Sequence, residues 1–400
     1  MTRPVRNSII GAALAAAAAS LVGFGILGKG RGSDAVGNTD GAVLYAAGRA
    51  WSKGLNPYDH RDLTTAVADV PEIKLDRIRF FYLPQSSPLC LFLAQFSYPV
   101  ARQLWLVINL LSIAALAGMS IFLVRRSTGG QEDVLGMGLL AAVVIGNPFT
   151  THVVWMGQTS LLATAFAFGS WILIQQKRWL PAGILLGLAS FKPQLFVLVG
   201  LWLILEREWK VLLVGFAVSS LLCVHAMLTH GGPGGMVTAW RGGVESGYLD
   251  LRFNRPGDPH VPGLGSLMAA AGVRGTGLFF MIIGVALASA LWNSRRHFQR
   301  EDVLALLMGL TFVFLGYSHD YDFVALVPLF VALWLHGRDR PRACIQILPL
   351  VILLFLPSQF VRKLHVPVLE HWRTIVILAL TVALAVYSRK RTAENDDVKT

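Results

Sequence analysis

The chain has 400 residues, of which 54% are hydrophobic and only 14% charged, against about 25% charged in a soluble domain. That composition excludes an ordinary soluble enzyme, and the apolar residues come in repeated runs long enough to span a hydrocarbon core of about 30 Å. The net charge of +12 lies mostly in Lys and Arg that close those runs; membrane insertion asks for this, and no nucleic-acid motif accompanies it.

In lipid the backbone must satisfy its own hydrogen bonds, so repeated apolar runs mean helices, and the expected fold is an all-α polytopic membrane protein. Arg3 and Arg6 precede the first run, residues 8–27, which reads as a retained span or signal anchor with its N-terminus in the cytoplasm. Residues 28–87 are too polar to span and form the expected first external loop. Within it Leu44, Ala47 and Trp51 share one side of a helix over 42–51, a short amphipathic helix for the membrane interface. The stretch 80–84 returns the chain to the membrane, and 89–98 is a short apolar piece, interfacial or partly inserted.

Runs at 103–124, 134–145 and 159–174 follow, with the polar stretch 147–158 between the last two. The run 180–205 is interrupted by Lys192-Pro193-Gln194. Proline breaks the helix ladder, and a lysine at membrane depth costs about 2.5–3.5 kcal/mol. It is therefore either one kinked helix or two half-helices returning to the same side. The second topology puts Arg207, Lys210, Arg295, Arg296, Arg300, Arg338, Arg340, Arg342 and the Arg389-Lys390-Arg391 tail in the cytoplasm, which the positive-inside rule favours. Further runs lie near 211–228, 277–291, 303–317, 323–335, 345–356 and 374–386. The expectation is one membrane domain over 1–400, with an external, Gly-rich and flexible loop in 230–262 and a cytoplasmic tail at 389–400. It would hold about 12 segments (roughly 10–13), with both termini inside. Arg362, Lys363 and Arg373 fall outside, against the rule. Cys90, Cys223 and Cys344 show no ligand spacing, so neither a disulfide framework nor a metal site is expected.

Four polar stretches gather on the outer side, and each candidate there carries two readings. Asp40, just past the first run, is a general base at the membrane surface or an N-cap, a role open also to Thr39. His319 and Asp320, with Asp322 close behind, hold a phosphate or make a polar turn. Lys192 meets an anion such as a lipid phosphate, or forms a structural ion pair, or snorkels. Gln158 and Gln194 contact a headgroup or cap helices. Tyr58, Tyr82 and Trp155 belong to the aromatic belt or stack on a sugar. In the loop, Trp240, Arg241, Tyr248, Arg252 and Arg255 line an acceptor groove or are simply solvated. There is no P-loop and no GxGxxG after a strand. Asp320-Tyr321-Asp322 spells a DxD, but it lies on the face away from the cytoplasmic nucleotide sugars.

The ordered set Asp40…Tyr45…Gly54-x-Asn56-Pro57-Tyr58, Phe80-x-Tyr82-x-Pro84, Gly146-Asn147…Gly157-Gln158, Lys192-Pro193-Gln194 and Ser318-His319-Asp320 resembles glycosyltransferase family 87. These are bacterial polyprenyl-phosphate-mannose-dependent mannosyltransferases of the GT-C fold. The resemblance implies a GT-C bundle in the cytoplasmic membrane and a metal-independent, inverting transfer at the outer face. It implies no cofactor, with a polyprenyl-phosphate-sugar donor and a glycan or glycolipid acceptor as partners. Asp40 occupies the position of the family's base, His319 that of the late polar turn that meets the donor phosphate, and Lys192 that of the Lys-Pro element. Gly41-Ala42 stands where the family commonly has an aromatic, and related enzymes transfer arabinofuranose. The alternative is a transporter or lipid-carrier flippase, since a broken helix with a midplane charge suits one; a lipid-binding pseudoenzyme is the third reading.

Overall fold

The computed structural model describes residues 2–28, 39–74, 79–128, 133–248, 251–316, 318–338 and 340–397. Side chains are described for all of these but 252, 341–344 and 390–397. Asn38, Tyr317, residues 398–400 and the side chains of Arg252, Arg342, Cys344 and the expected tail from Lys390 lie outside the described residues. The rest is helical, with no strand among the described residues.

The helices run α1 (Arg3–Ser20, continued by a π turn, Leu21–Ile26), α2 (Asp40–Ser52), α3 (His60–Ala66), α4 (Ser87–Ala94), α5 (Tyr98–Ser127), α6 (Val134–Gly146), α7 (Pro148–Met156) and α8 (Ser160–Gln175). Then come α9 (Trp179–Ala189), α10 (Val197–Leu205), α11 (Trp209–Leu222), α12 (Val224–Thr229), α13 (Pro233–Gly247), α14 (Leu264–Ala270), α15 (Gly277–Asn293) and α16 (Arg300–Phe314). A 3-10 stretch, Asp320–Leu326, leads into α17 (Val327–Gly337), followed by α18 (Pro341–Phe355), α19 (Ser358–Arg362) and α20 (Trp372–Asp397). Among the described residues, five helical stretches are long and apolar enough to cross a membrane, and five more are apolar but shorter. The protein is an all-α polytopic membrane protein.

The interrupted run resolves into a pair of half-helices. Lys192, at its tip, lies 2.9 Å from Ser160 at the start of α8. Glu206, just past α10, pairs at 2.8 Å with Arg295, and the Trp171 indole near the end of α8 donates to the Arg300 carbonyl at 3.2 Å. The chain therefore enters α9 and leaves α10 on the same side. The packing of α11 agrees, because it runs parallel to α9. A Cβ on Gly183 would come within 2.8 Å of Val211, and one on Gly187 within 2.7 Å of Gly215. Small residues four apart let two membrane helices approach this closely.

The same reasoning orders the ends of the chain. Gly138 meets Ile10 and Gly146 meets Ala17, so α1 and α6 are parallel. Ser388 on α20 donates to Asp302 at the start of α16. The first residues of α1 and residue 388 thus share a face with Arg295.

Three expectations about the connecting segments change. The helix over 42–51 has no exposed face: Ala42 to Gly48, Ala50 and Trp51 are all buried in α2. It is wedged against α4 so closely that a Cβ on Gly48 would meet the Cys90 carbonyl oxygen at 2.0 Å. It is not an interfacial amphipathic helix. The loop 230–262 contains α13, started by a turn at Gly231 and Gly232, both with positive φ. The polar stretch 147–158 is mostly α7, whose N-cap Asn147 accepts from the Phe149 and Thr150 backbone N–H groups.

Candidate active site

Two glycines bring the first two site segments together. α7 ends at Gly157, whose φ of +68° suits a residue without a Cβ. A Cβ there would lie 2.9 Å from the Gly41 Cα. The Trp105 indole fixes the turn by donating to the Gly157 carbonyl at 2.7 Å. Asp40 and Gln158, each the neighbour of one of these glycines, therefore meet. The close approach is set by Gly157, since a Cβ on Gly41 would make only ordinary contact with the Gly157 Cα at 3.5 Å.

Asp40 is the first residue of α2, and Thr39 takes the N-cap position. Asp40 is therefore not the N-cap, and the Thr39 side chain makes no cap hydrogen bond. The Asp40 side chain lines a cavity of about 540 Å³, the size of a small-molecule site. Burial pushes its pKa up from 3.8 to about 6, opposed by the Lys192 charge and by the neighbouring Gln158 side-chain amide.

Lys192 is buried and ion-paired at the cavity wall. Its ammonium pairs with Asp322 at 2.8 Å and touches the Ser160 hydroxyl at 2.9 Å, and it stands 4.9 Å from the centre of the Tyr321 ring. The Ser160 hydroxyl also donates to Asp322 at 2.5 Å, and the second Asp322 oxygen accepts from the His319 backbone at 3.0 Å. The structural ion pair foreseen as an alternative for Lys192 is what forms. His319 lines the cavity and stacks on Tyr321 with ring centres 5.1 Å apart; burial lowers its pKa. Asp320 turns the other way, accepting from Arg373 at 3.0 Å, with His260 Nδ1 at 3.4 Å. Arg362 donates to His260 Nε2 at 2.8 Å, so that nitrogen is the acceptor and Nδ1 carries the proton toward Asp320. The two carboxylates of the DxD spelling are thus committed to different cations.

Tyr82 and Gln194 line the cavity. Tyr58 does not reach it; its hydroxyl donates to the Tyr82 carbonyl at 3.1 Å, and its ring packs on Phe80. Of the loop candidates, Trp240 and Tyr248 line the wall, while Arg241 pairs with Glu245 at the surface. Sequence reasoning passed over Arg79, which lines the cavity with its stem against Gly247 (a Cβ there would be 2.6 Å from Arg79 Cδ). Among the described residues Arg79 has no ion-pair partner. Its place directly before Phe80-x-Tyr82-x-Pro84 was the available signal.

Fold and site define a multi-spanning membrane protein with an aromatic-walled cavity that carries charged side chains at one face of its helix bundle. The sequence model of glycosyltransferase family 87 matches residues 80–318, more than half of the chain, and the chain belongs to that family. It is a membrane glycosyltransferase. The matched stretch holds Tyr82, Gln158, Lys192 and Gln194 but begins after Asp40 and Tyr58 and stops one residue before His319. No curated protein and no solved structure matches the chain.

Proposed function

We propose that the enzyme moves a sugar, in the first instance mannose, from a polyprenyl-phosphate donor to a hydroxyl of a glycan or glycolipid, with inversion at the anomeric carbon. The observation that carries this is Asp40: a carboxylate with a pKa of about 6 in a cavity also lined by Arg79, Lys192 and His319. Asp40 takes the proton of the acceptor hydroxyl as its oxygen bonds to the anomeric carbon. The bond from that carbon to the phosphate oxygen breaks, and the lipid phosphate leaves with the electron pair. A positioned base of this kind is worth about 10²–10⁴ in rate. The leaving phosphate gains negative charge, and fixed cations stabilise such charge best in a water-poor site. Arg79 suits that role because a guanidinium fork matches phosphate oxygens. The reading needs no metal and no cofactor.

We place the cavity at the outer face of a bacterial cytoplasmic membrane. Arg3, Arg6, Arg207, Lys210, Arg295 and Arg300 sit at the face away from the cavity, and a cytoplasmic face carries this excess. The transporter reading keeps its broken helix, but the charge it relied on, Lys192, is paired with Asp322.

The test uses membranes holding wild type, Asp40→Asn or Arg79→Ala, incubated with radiolabelled polyprenyl-phosphate-mannose and a lipid extract of the host. Wild type transfers label to a glycan or glycolipid, Asp40→Asn loses about 10²–10⁴ of the rate, and Arg79→Ala raises the donor KM. Equal transfer by Asp40→Asn refutes the base assignment. Transfer from polyprenyl-phosphate-arabinose alone corrects the sugar.

A further inference from the structure

Gln158 is held by two tyrosines and stands beside Asp40. A tyrosine hydroxyl can donate only one hydrogen, and that of Tyr82 goes to Gln158 Oε1 at 2.5 Å. The amide nitrogen then faces the other way and donates one hydrogen to Tyr321 Oη at 3.0 Å. Its second hydrogen is left facing the Asp40 carboxylate, which the Gly41–Gly157 contact sets beside it and whose charged form the Gln158 side chain favours. An amide carries two donors on one side and an acceptor on the other. The opposite orientation would put Oε1 against the carboxylate, oxygen to oxygen, and would leave the Tyr82 hydrogen facing a donor. Gln158 is only 3% exposed, so a ligand finds little of it to touch. At Gly157 the contact leaves no room for a Cβ, which would lie 2.9 Å from the Gly41 Cα.

We infer that Gln158 is a positioning residue for Asp40 rather than a sugar contact, and that the Tyr82 hydroxyl sets the direction of its amide. This rests on Asp40 being the base for its purpose, but the contact itself is open to measurement without any substrate. Asp40 shares its cavity with Arg79, Lys192, Asp320, Asp322, His152, His260, His319, Tyr82, Tyr248 and Tyr321, and the variants below change none of these charges at neutral pH.

The probe is dicyclohexylcarbodiimide, an apolar reagent that attacks a carboxyl only in its protonated form. The full chain in detergent is labelled across pH 5 to 9, and modification at Asp40 is read by mass spectrometry. Wild type should label half-maximally near pH 6. Gln158→Leu removes the donor that favours the charged carboxylate, so its midpoint should rise by about one pH unit. Tyr82→Phe keeps the ring, the packing and Gln158, and removes only the hydroxyl. It should shift the midpoint in the same direction by less, which covers the case in which Gln158→Leu does not fold. Midpoints within about 0.3 pH unit of wild type in every variant that folds would overturn the inference. So would a wild-type Asp40 that fails to label at pH 5, since it would then not face the cavity. In the transfer assay Gln158→Leu should lower kcat with the donor KM within about twofold; a raised KM at unchanged kcat would make it a substrate contact after all. A shifted midpoint together with an active Asp40→Asn would sink the base assignment alone.

Discussion

Asp40→Asn should make the protein more stable while removing its activity. The carboxyl keeps an opening to the cavity, but desolvation lifts its pKa from 3.8 to about 6. A rise of about 2 pH units is worth about 3 kcal/mol, and the opening to the cavity reduces this to about 1–3 kcal/mol. The sign follows from proton linkage. Between pH 4 and 6 the folded protein holds more protons than the unfolded one, so stability falls as pH rises through that window and stays low above it. Asparagine has no charge to desolvate and keeps an oxygen for the Gln158 amide. At this chain length about 1 kcal/mol moves Tm by about 1–2 °C, so Asp40→Asn should gain about 2–5 °C at pH 7.5. The gain should shrink on acidification and vanish near pH 4. Unfolding followed by tryptophan fluorescence in detergent at several pH values measures it. An equal Tm at pH 7.5, or a gap that widens in acid, would refute the reasoning. A destabilising group retained at a site is a common cost of function.

The Lys192–Asp322 pair predicts strong non-additivity. Lys192→Met or Asp322→Asn alone leaves a buried charge or polar partner stranded and should cost about 3–5 kcal/mol, whereas Lys192→Met with Asp322→Leu should recover much of it. Folded yield and apparent Tm report this, and a double variant as poor as the worse single one would contradict it. Gly48→Ala should collapse the yield of folded protein, because its Cβ would strike the Cys90 carbonyl at 2.0 Å. Gly118→Ala, in α5 with nothing within 4 Å, should be neutral or slightly stabilising and serves as its control in a fluorescence-detected size-exclusion assay.

The spans were legible because lipid imposes one rule on every segment, and an apolar run must obey it wherever it packs. The half-helix pair was legible because charge at the membrane face settles parity, which the parallel course of α9 and α11 supports independently. Helix α2 was not. Leu44, Ala47 and Trp51 align at helical spacing, yet Ala42, Ala46, Gly48 and Ala50 fill the remaining sides with residues small enough for any neighbour. Whether such a helix lies on a surface or within a wedge depends on α4, more than thirty residues later in the chain. The pattern within 40–52 carries no trace of it. Helix α13 was hidden by its own glycines and by Gly231 and Gly232 just before it, whose positive φ makes the turn into the helix.

For the site, the most informative residues were those that broke a rule. Lys192 stood out because a lysine within an apolar run is costly, but its partner lies 130 residues away, and spacing cannot name a partner across a fold. Arg362 and Arg373 stood out because they fell on the wrong face for a membrane protein. In the structure they hold His260 and Asp320 at the cavity wall, so the same placement that violates the charge rule puts them at the site. The pairings then sort the polar groups. Lys192 with Asp322, and Arg373 with Asp320, neutralise each other and build the wall. Among the described cavity residues, Asp40 and Arg79 are an acid and a base without an ion-pair partner. On the proposed reading this division has a chemical reason: paired charges cannot change partners cheaply in a desolvated site. A reaction that moves a proton to a carboxylate and a negative charge onto a phosphate needs one free group of each sign.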